Sequence, residues 1–278
     1  LISYDREYYK PKTIQEAAEL YYTLDSKGKA PIFFNGGTEI ITLGRLNLIS
    51  ANAFIDIKDI PECKVYEMAE GHLVIGSSLP LSRFDEKQDF PLLSQLAKGV
   101  ADATSRNKIT IGGNMCGNIF YREAILPFLL ADSMVYLASR DGMKKRPILE
   151  VFHKEMLLEK GEFLVQISTP AKYLNMPYAS VKRRQQWDTG YPLLTVASIK
   201  KGDMLRFAFS GLCSFPFRSH EMEKVLNDSN KSYRDRILSS FSELPAPVLN
   251  DIEGSSDYRL FVLKNILLDF FALLEGDV

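Results

Sequence analysis

Ala30-Pro31-Ile32-Phe33-Phe34-Asn35-Gly36-Gly37-Thr38-Glu39 is a short apolar run that breaks directly into a glycine pair. The run predicts a buried strand, and the glycines predict a turn whose backbone can take positive φ and approach a ligand closely. A second stretch, Arg106-Asn107-Lys108-Ile109-Thr110-Ile111-Gly112-Gly113-Asn114, repeats the device. Successive backbone N–H groups in such turns form anion-binding nests, and a diphosphate is one ligand that takes two of them. Thr38, Thr110, Asn114 and Asn118 add hydrogen-bonding side chains around the pairs. An ordinary tight turn is the competing reading for either pair alone. Other phosphate motifs fail: Gly112 and Gly117 have P-loop spacing, but Asn118 stands where Lys should be. No G-x-G-x-x-G follows a strand, which disfavours a Rossmann fold.

Before the first pair, Thr13 and Glu16 form a capping box and Gly28 a stop, with Ile14, Ala17, Ala18, Tyr21 and Leu24 at helical spacing between them. After it, Ala53–Ile57 and His72–Gly76 read as strands. Pro91 opens a helix carrying Leu92, Leu93, Leu96, Ala97 and Val100. Met134–Leu137 and Glu162–Ile167 read as further strands, with a turn at Asp141-Gly142. A boundary is expected at Pro170 to Pro177, where periodicity lapses. Beyond it Leu193–Ile199 and Leu205–Phe209 flank Lys201-Gly202-Asp203 as a hairpin, and helical patterns run from Glu221 to Leu226 and from Asp257 to Leu274. The order makes the chain α+β in two parts.

Composition narrows the function. The chain has 278 residues, 46% of them hydrophobic, and a formal net charge of -1. A core can form, and a nucleic-acid binder with its basic excess is disfavoured. Local basic runs, Lys144-Lys145-Arg146 and Lys182-Arg183-Arg184, read as solvated surface in the first instance. Cys63, Cys116 and Cys213 are too scattered for a disulfide framework or a cluster site. Leu1–Arg6 is not followed by a signal-peptide core, and the best apolar run, Phe128–Ala138, is interrupted by Asp132 and shorter than the about 20 residues a span needs. A cytoplasmic location without membrane attachment is the expectation. His72, His153 and His220 lie outside every motif, and no Ser/His/Asp or Cys/His set emerges.

Taken in order and spacing, Asn35-Gly36-Gly37-Thr38-Glu39, Arg106-Asn107 and Thr110-Ile111-Gly112-Gly113-Asn114 resemble the two FAD signatures of the molybdenum-hydroxylase flavoproteins. These are the medium subunits of xanthine dehydrogenase, carbon monoxide dehydrogenase and their relatives. Tyr8–Pro11, Gly161-Glu162-Phe163-Leu164 with Pro170, Lys182, Asp188, Ala197 and Asp257-Tyr258-Arg259 extend the likeness over nearly the whole chain. The resemblance implies a two-lobed α+β FAD-binding domain of the vanillyl-alcohol-oxidase (PCMH) type at 1–172. A smaller sheet-and-helix domain, like the C-terminal domain of carbon monoxide dehydrogenase flavoproteins, would follow at 173–278.

The resemblance also implies roles. Phe33, Phe34, Asn35, Gly36, Gly37, Thr38, Glu39 and Ile40 would wrap the FAD diphosphate and flavin edge. Thr110, Gly113, Asn114 and Cys116 would form a second phosphate wall, although a small buried filler is the simpler reading of Cys116. Leu164 would pack on the flavin or adenine, and Lys182 would bring a cation near the isoalloxazine ring. Nine residues after Asn114, where the family has Asp on a cofactor hydroxyl, Glu123 stands here, and Leu126-Pro127 displaces the family's proline by one. FAD would be held without a covalent bond. A molybdopterin subunit and a [2Fe–2S] subunit would be partners, xanthine dehydrogenase the type, and NAD⁺ or another acceptor the electron sink. Trp187 with Lys182-Arg183-Arg184 is the candidate docking surface for the iron–sulfur partner. A stand-alone FAD oxidoreductase of the same fold and a non-catalytic nucleotide-binding scaffold are the alternatives.

Overall fold

The computed structural model describes residues 6–184 and 190–276. Leu1–Asp5, Trp187 and Asp188, which entered the sequence reading, lie outside the described residues. Contacts within the chain fall into two units. The first runs as far as Phe84 and adds Ala103–Ile119 and Asp132–Ala171. The second joins Asp85–Asp102 and Phe120–Ala131 to the chain from Lys172 on.

The first unit holds strands β1 (Glu7–Tyr9), β2 (Pro31–Phe34) and β3 (Ala53–Asp56) in a parallel sheet ordered β1-β3-β2. Helix Ile14–Ser26 connects β1 to β2, and helix Thr38–Arg45 connects β2 to β3. The first helix starts as its capping box dictates: Thr13 Oγ1 accepts the N–H of Glu16 at 3.1 Å, and Glu16 reaches back to the N–H of Lys12. The same unit contains a five-stranded antiparallel sheet. Its strands are β4 (Tyr66–Ala69), β5 (His72–Gly76), β6 (Met134–Ser139), β7 (Gly142–Pro147) and β8 (Phe163–Pro170), in the order β4-β5-β8-β6-β7. Ala17 and Leu24 of the first helix, Ile55 of β3, Ala138 of β6 and Phe163 and Val165 of β8 share one buried cluster. That cluster ties the small parallel sheet to the larger one, so the end of β2 has a fixed place.

The second unit is built on an antiparallel sheet ordered β12-β11-β10-β9. Its strands are β9 (Tyr178–Arg183), β10 (Leu194–Lys201), β11 (Met204–Ser210) and β12 (Phe217–Arg218). Period-2 alternation divides its side chains. Leu194, Val196, Phe207 and Phe209 pack with Leu263, Leu267, Phe270 and Phe271 of helix Ser256–Glu275. On β9 and β10, Lys182 pairs with Thr195 and Ser180 with Ala197 in register. Helix Pro91–Lys98 packs against β9. Arg259, fully buried, donates to the carbonyls of Leu193 and Gly211 and pairs with Asp251, tying the long helix to the sheet ends. No helix among the described residues is long and apolar enough to cross a membrane.

Candidate functional site: two glycine stretches and a buried ion pair

In the first unit the glycine stretches meet at the end of β2, and their glycines do different work. Gly37 has φ +74 and caps helix Thr38–Arg45. A Cβ on Gly36 would lie 2.0 Å from the Lys108 carbonyl oxygen, so this glycine is what lets the two stretches touch. The Ser77 carbonyl, just beyond β5, binds both sides: it accepts Asn35 Nδ2 at 3.1 Å and the Gly112 N–H at 2.9 Å. Sequence reasoning missed Ser77, since a main-chain contact leaves no side-chain signature.

The second stretch departs from expectation. Gly112 and Gly113 do not take positive φ; they lie in the first turns of a short helix, Ile111–Cys116, capped by Thr110. Its N–H groups are occupied. Ile111 donates to Leu79 O, Gly112 to Ser77 O, Gly113 to Thr110 Oγ1 and Asn114 to Thr110 O, all at 2.9–3.1 Å. This stretch therefore offers a wall rather than a nest of free donors. By contrast, the N–H groups of Gly36, Gly37, Thr38, Glu39 and Ile40 carry no hydrogen bond among the described residues. They sit at the positive end of helix Thr38–Arg45, where an anion is favoured.

Asn35 and Asn114 are both buried, and the Oδ1 of each has no partner among the described residues. Buried acceptors left open are costly, so each calls for a donor. Glu39 is not turned to an anion: its Oε1 accepts the N–H groups of Asn118 at 2.8 Å and Ile119 at 3.1 Å. Phe33 stacks on Tyr21 at 5.2 Å and meets Phe163 at 4.5 Å, so its ring packs in the core cluster. Phe34 lies on the other side of β2, against Tyr8 and Phe54. Leu164 is buried in β8, beside the bulge where its pairing with β6 shifts register. Cys116 is half-buried at the end of the short helix, while burial pushes the thiols of Cys63 and Cys213 up to about 11. Ile40 and Thr38 stand in the first turn of helix Thr38–Arg45, Thr38 exposed.

Behind Asn35 stands a group with no sequence motif. Asp56, fully buried at the end of β3, accepts the Tyr8 hydroxyl and pairs with Lys58 Nζ at 2.8 Å. Desolvation and the Asp56 carboxylate push the Tyr8 phenol up to about 12.

The remaining two expected residues, Glu123 and Lys182, lie together in the second unit. Lys182 Nζ is 2.6 Å from Glu123 Oε1 and donates to Gly99 O at 2.7 Å. Arg184 donates to the same carbonyl at 2.9 Å. A cavity of about 130 Å³ opens here, lined by the pair with Gln95, Ser180 and Thr195. Burial holds the Lys182 ammonium below its ordinary range, and Glu123 opposes that shift. Period-2 alternation therefore sends Lys182 and Arg184 inward, and of the Lys182-Arg183-Arg184 run only Arg183 is exposed. The three histidines belong to neither cluster.

The chain is similar to known proteins in both sequence and fold. A family model described as the FAD binding domain in molybdopterin dehydrogenase matches residues 3–172. The carbon monoxide dehydrogenase medium chain of Hydrogenophaga pseudoflava is 28% identical over 266 residues, 91% of each chain. The xanthine dehydrogenase FAD-binding subunit of Escherichia coli O157:H7 is 24% identical over 238 residues, 81% of this chain and 80% of that one. Among solved structures, the carbon monoxide dehydrogenase of Hydrogenophaga pseudoflava lacking the Mo-pyranopterin moiety of its cofactor superposes with a TM-score of 0.84. It shows 23% identity and 96% coverage of both chains. The α+β fold is thus the one expected, and with the family model spanning more than half of its length the chain belongs to the FAD-binding domains of molybdopterin dehydrogenases.

Proposed function

We propose that this chain is the electron-transferring flavoprotein subunit of a molybdenum hydroxylase complex, of xanthine dehydrogenase type and cytoplasmic. It would take electrons from a [2Fe–2S] partner that is fed by a molybdopterin subunit, and pass them to NAD⁺ or another acceptor. The observation that carries the reading is the first glycine loop: unbonded N–H groups at 36–40 beside two buried amide oxygens, Asn35 Oδ1 and Asn114 Oδ1, that lack donors. FAD fits both demands, since it joins a diphosphate to hydroxyl, imide and amino donors. When bound it supplies one- and two-electron redox chemistry.

The chain's own residues do the holding. Gly36–Ile40 would present their N–H groups to the diphosphate, with Gly37 setting the turn. Thr110, Gly113, Asn114 and Cys116 would form the opposing wall, and Glu39 keeps loop 117–119 closed by accepting its two N–H groups. Phe33 anchors the end of β2 in the core cluster, just before the glycine loop, while Phe34 and Leu164 would exclude water from the cofactor's edge. Glu123 would take a cofactor hydroxyl and Lys182 would set a cation toward the ring. The 173–278 domain, with Arg183 and Trp187, would offer the docking face for the iron–sulfur partner.

The relatives reported above act on unlike substrates, carbon monoxide and xanthine, so the branch is decided by electron donors. Mixed anaerobically with xanthine, the isolated flavoprotein is expected to keep its flavin oxidised, and to bleach once both partner subunits are added. Bleaching by xanthine with this chain alone would mean a stand-alone oxidoreductase. A complex reduced by carbon monoxide but not by xanthine would overturn the branch and leave the relay role standing. A flavin that stays oxidised with every donor in the full complex would favour the scaffold.

A further inference from the structure

Lys58 reaches the first glycine loop from the neighbouring strand end and touches it in two ways. Its Nζ donates to the Asn35 carbonyl at 2.8 Å, and the same ammonium stands 4.6 Å from the centroid of the Phe34 ring. Its rear is anchored as firmly. Asp56 is fully buried, its Oδ2 lies 2.8 Å from Lys58 Nζ, and its Oδ1 accepts the Lys58 main-chain N–H at 2.9 Å. Tyr8 donates its hydroxyl to Asp56 from β1. All three strands of the parallel sheet therefore converge on one ammonium, which grips the loop at the residue where its free N–H groups begin. Asn35 is held at both ends: its carbonyl by Lys58 and its side-chain amide by the Ser77 carbonyl.

A buried carboxylate needs a cation, and an exposed solution would have served. Here the cation that meets Asp56 also donates to a main-chain carbonyl of the loop. Fixing that carbonyl fixes the one peptide plane it shares with the Gly36 N–H, and so the direction of the first free N–H of the loop. Preorganised donors bind an anion without having to be ordered at the moment of binding.

We propose that Lys58, backed by Asp56 and Tyr8, is a positioning residue for the cofactor diphosphate, acting through the Asn35 carbonyl and the Phe34 ring. The inference rests on the placement of the diphosphate at residues 36–40.

Lys58→Met alone leaves Asp56 buried without its cation and endangers folding, so the test uses Lys58→Met combined with Asp56→Asn, which removes both charges, and Lys58→Arg. The apoprotein of the double variant is expected to melt near the parent's temperature and to bind FAD at least tenfold more weakly. Lys58→Arg is expected to restore affinity to within about threefold, yet to shift the ³¹P resonances of the bound diphosphate, because the guanidinium meets the carbonyl from a different distance. A purely structural role would leave those resonances in place. FAD affinity within twofold of the parent in the double variant, or an unmoved ³¹P spectrum in Lys58→Arg, would overturn the proposal. Gly113→Val, prepared alongside, separates the two failures. If it loses FAD while the Lys58 variants behave as the parent, only the role of Lys58 falls; if it also binds normally, the second stretch leaves the site, and a diphosphate held between that wall and residues 36–40 falls with it.

Discussion

Gly113→Val should give a folded chain that holds no FAD, whereas Gly36→Val should fail to fold stably. Both are glycines of the paired motifs, and the contrast comes from what a Cβ would meet. At Gly36 it meets main-chain atoms, 2.0 Å from Lys108 O and 3.1 Å from Thr110 N, so the two stretches must part. Overpacking of this kind typically costs about 1–3 kcal/mol and more where backbone must move. At Gly113, among the described residues and apart from the backbone of its own helix, a Cβ meets the Thr110 hydroxyl at 2.8 Å, which can rotate away at the loss of a cap worth about 1 kcal/mol. Gly113 is exposed and its φ is not positive. The fold thus has no need of a glycine there, and a ligand lying against that surface gives the reason for one. Circular dichroism and flavin content of the two variants check this. A Gly113→Val chain that retains its flavin would remove the second stretch from the site.

Glu123→Ala should destabilise the protein by about 3–5 kcal/mol, because it strands the Lys182 ammonium, whose side chain is 14% exposed, without its counter-ion. That exceeds the loss of one charge-assisted hydrogen bond to a ligand, about 1.5–3 kcal/mol. The pH dependence has a definite sign. The folded-state pKa of Lys182 lies below its ordinary 10.5, chiefly through burial. Between that lowered value and 10.5 the unfolded chain binds more protons, so stability rises with pH through the window and the penalty is fully present below it. Removing Glu123 withdraws the interaction that opposes the shift, so the window should widen downward. Urea unfolding of both proteins, from neutral pH to 10.5, reads this out. Equal midpoints at neutral pH would mean that the pair contributes nothing.

Local signals in the sequence carried well into the fold. Thr13, Gly28 and the Gly202 turn between β10 and β11 act where their chemistry says they should, because caps and tight turns depend on residues a few positions apart. Elements whose own composition masks them were not readable. β7 is Gly-Met-Lys-Lys-Arg-Pro, five of its six residues exposed, and it looks like a solvated basic run although its partner β6 lies just across the Asp141-Gly142 turn. Charged side chains on such an edge strand block further pairing. Helix Thr38–Arg45 was hidden by the glycines that open it and by Gly44 within it. The site divides the same way. The glycine pairs were visible as motifs, but the occupation of the second stretch by the carbonyls of Leu79 and Ser77 depends on a turn some thirty residues earlier in the chain. Lys58 was invisible for the same reason. The Lys182-Arg183-Arg184 run looked uniform in sequence, and strand alternation split it into two held cations and one exposed.

If the glycine loops hold FAD without a covalent bond, the flavin released on denaturation identifies it. Acid precipitation of the holoprotein should leave FAD, close to one per chain, in the supernatant and a colourless pellet. FMN in its place, flavin that stays with the precipitated chain, or a protein that takes up no flavin on incubation with FAD would exclude non-covalent FAD binding at these loops.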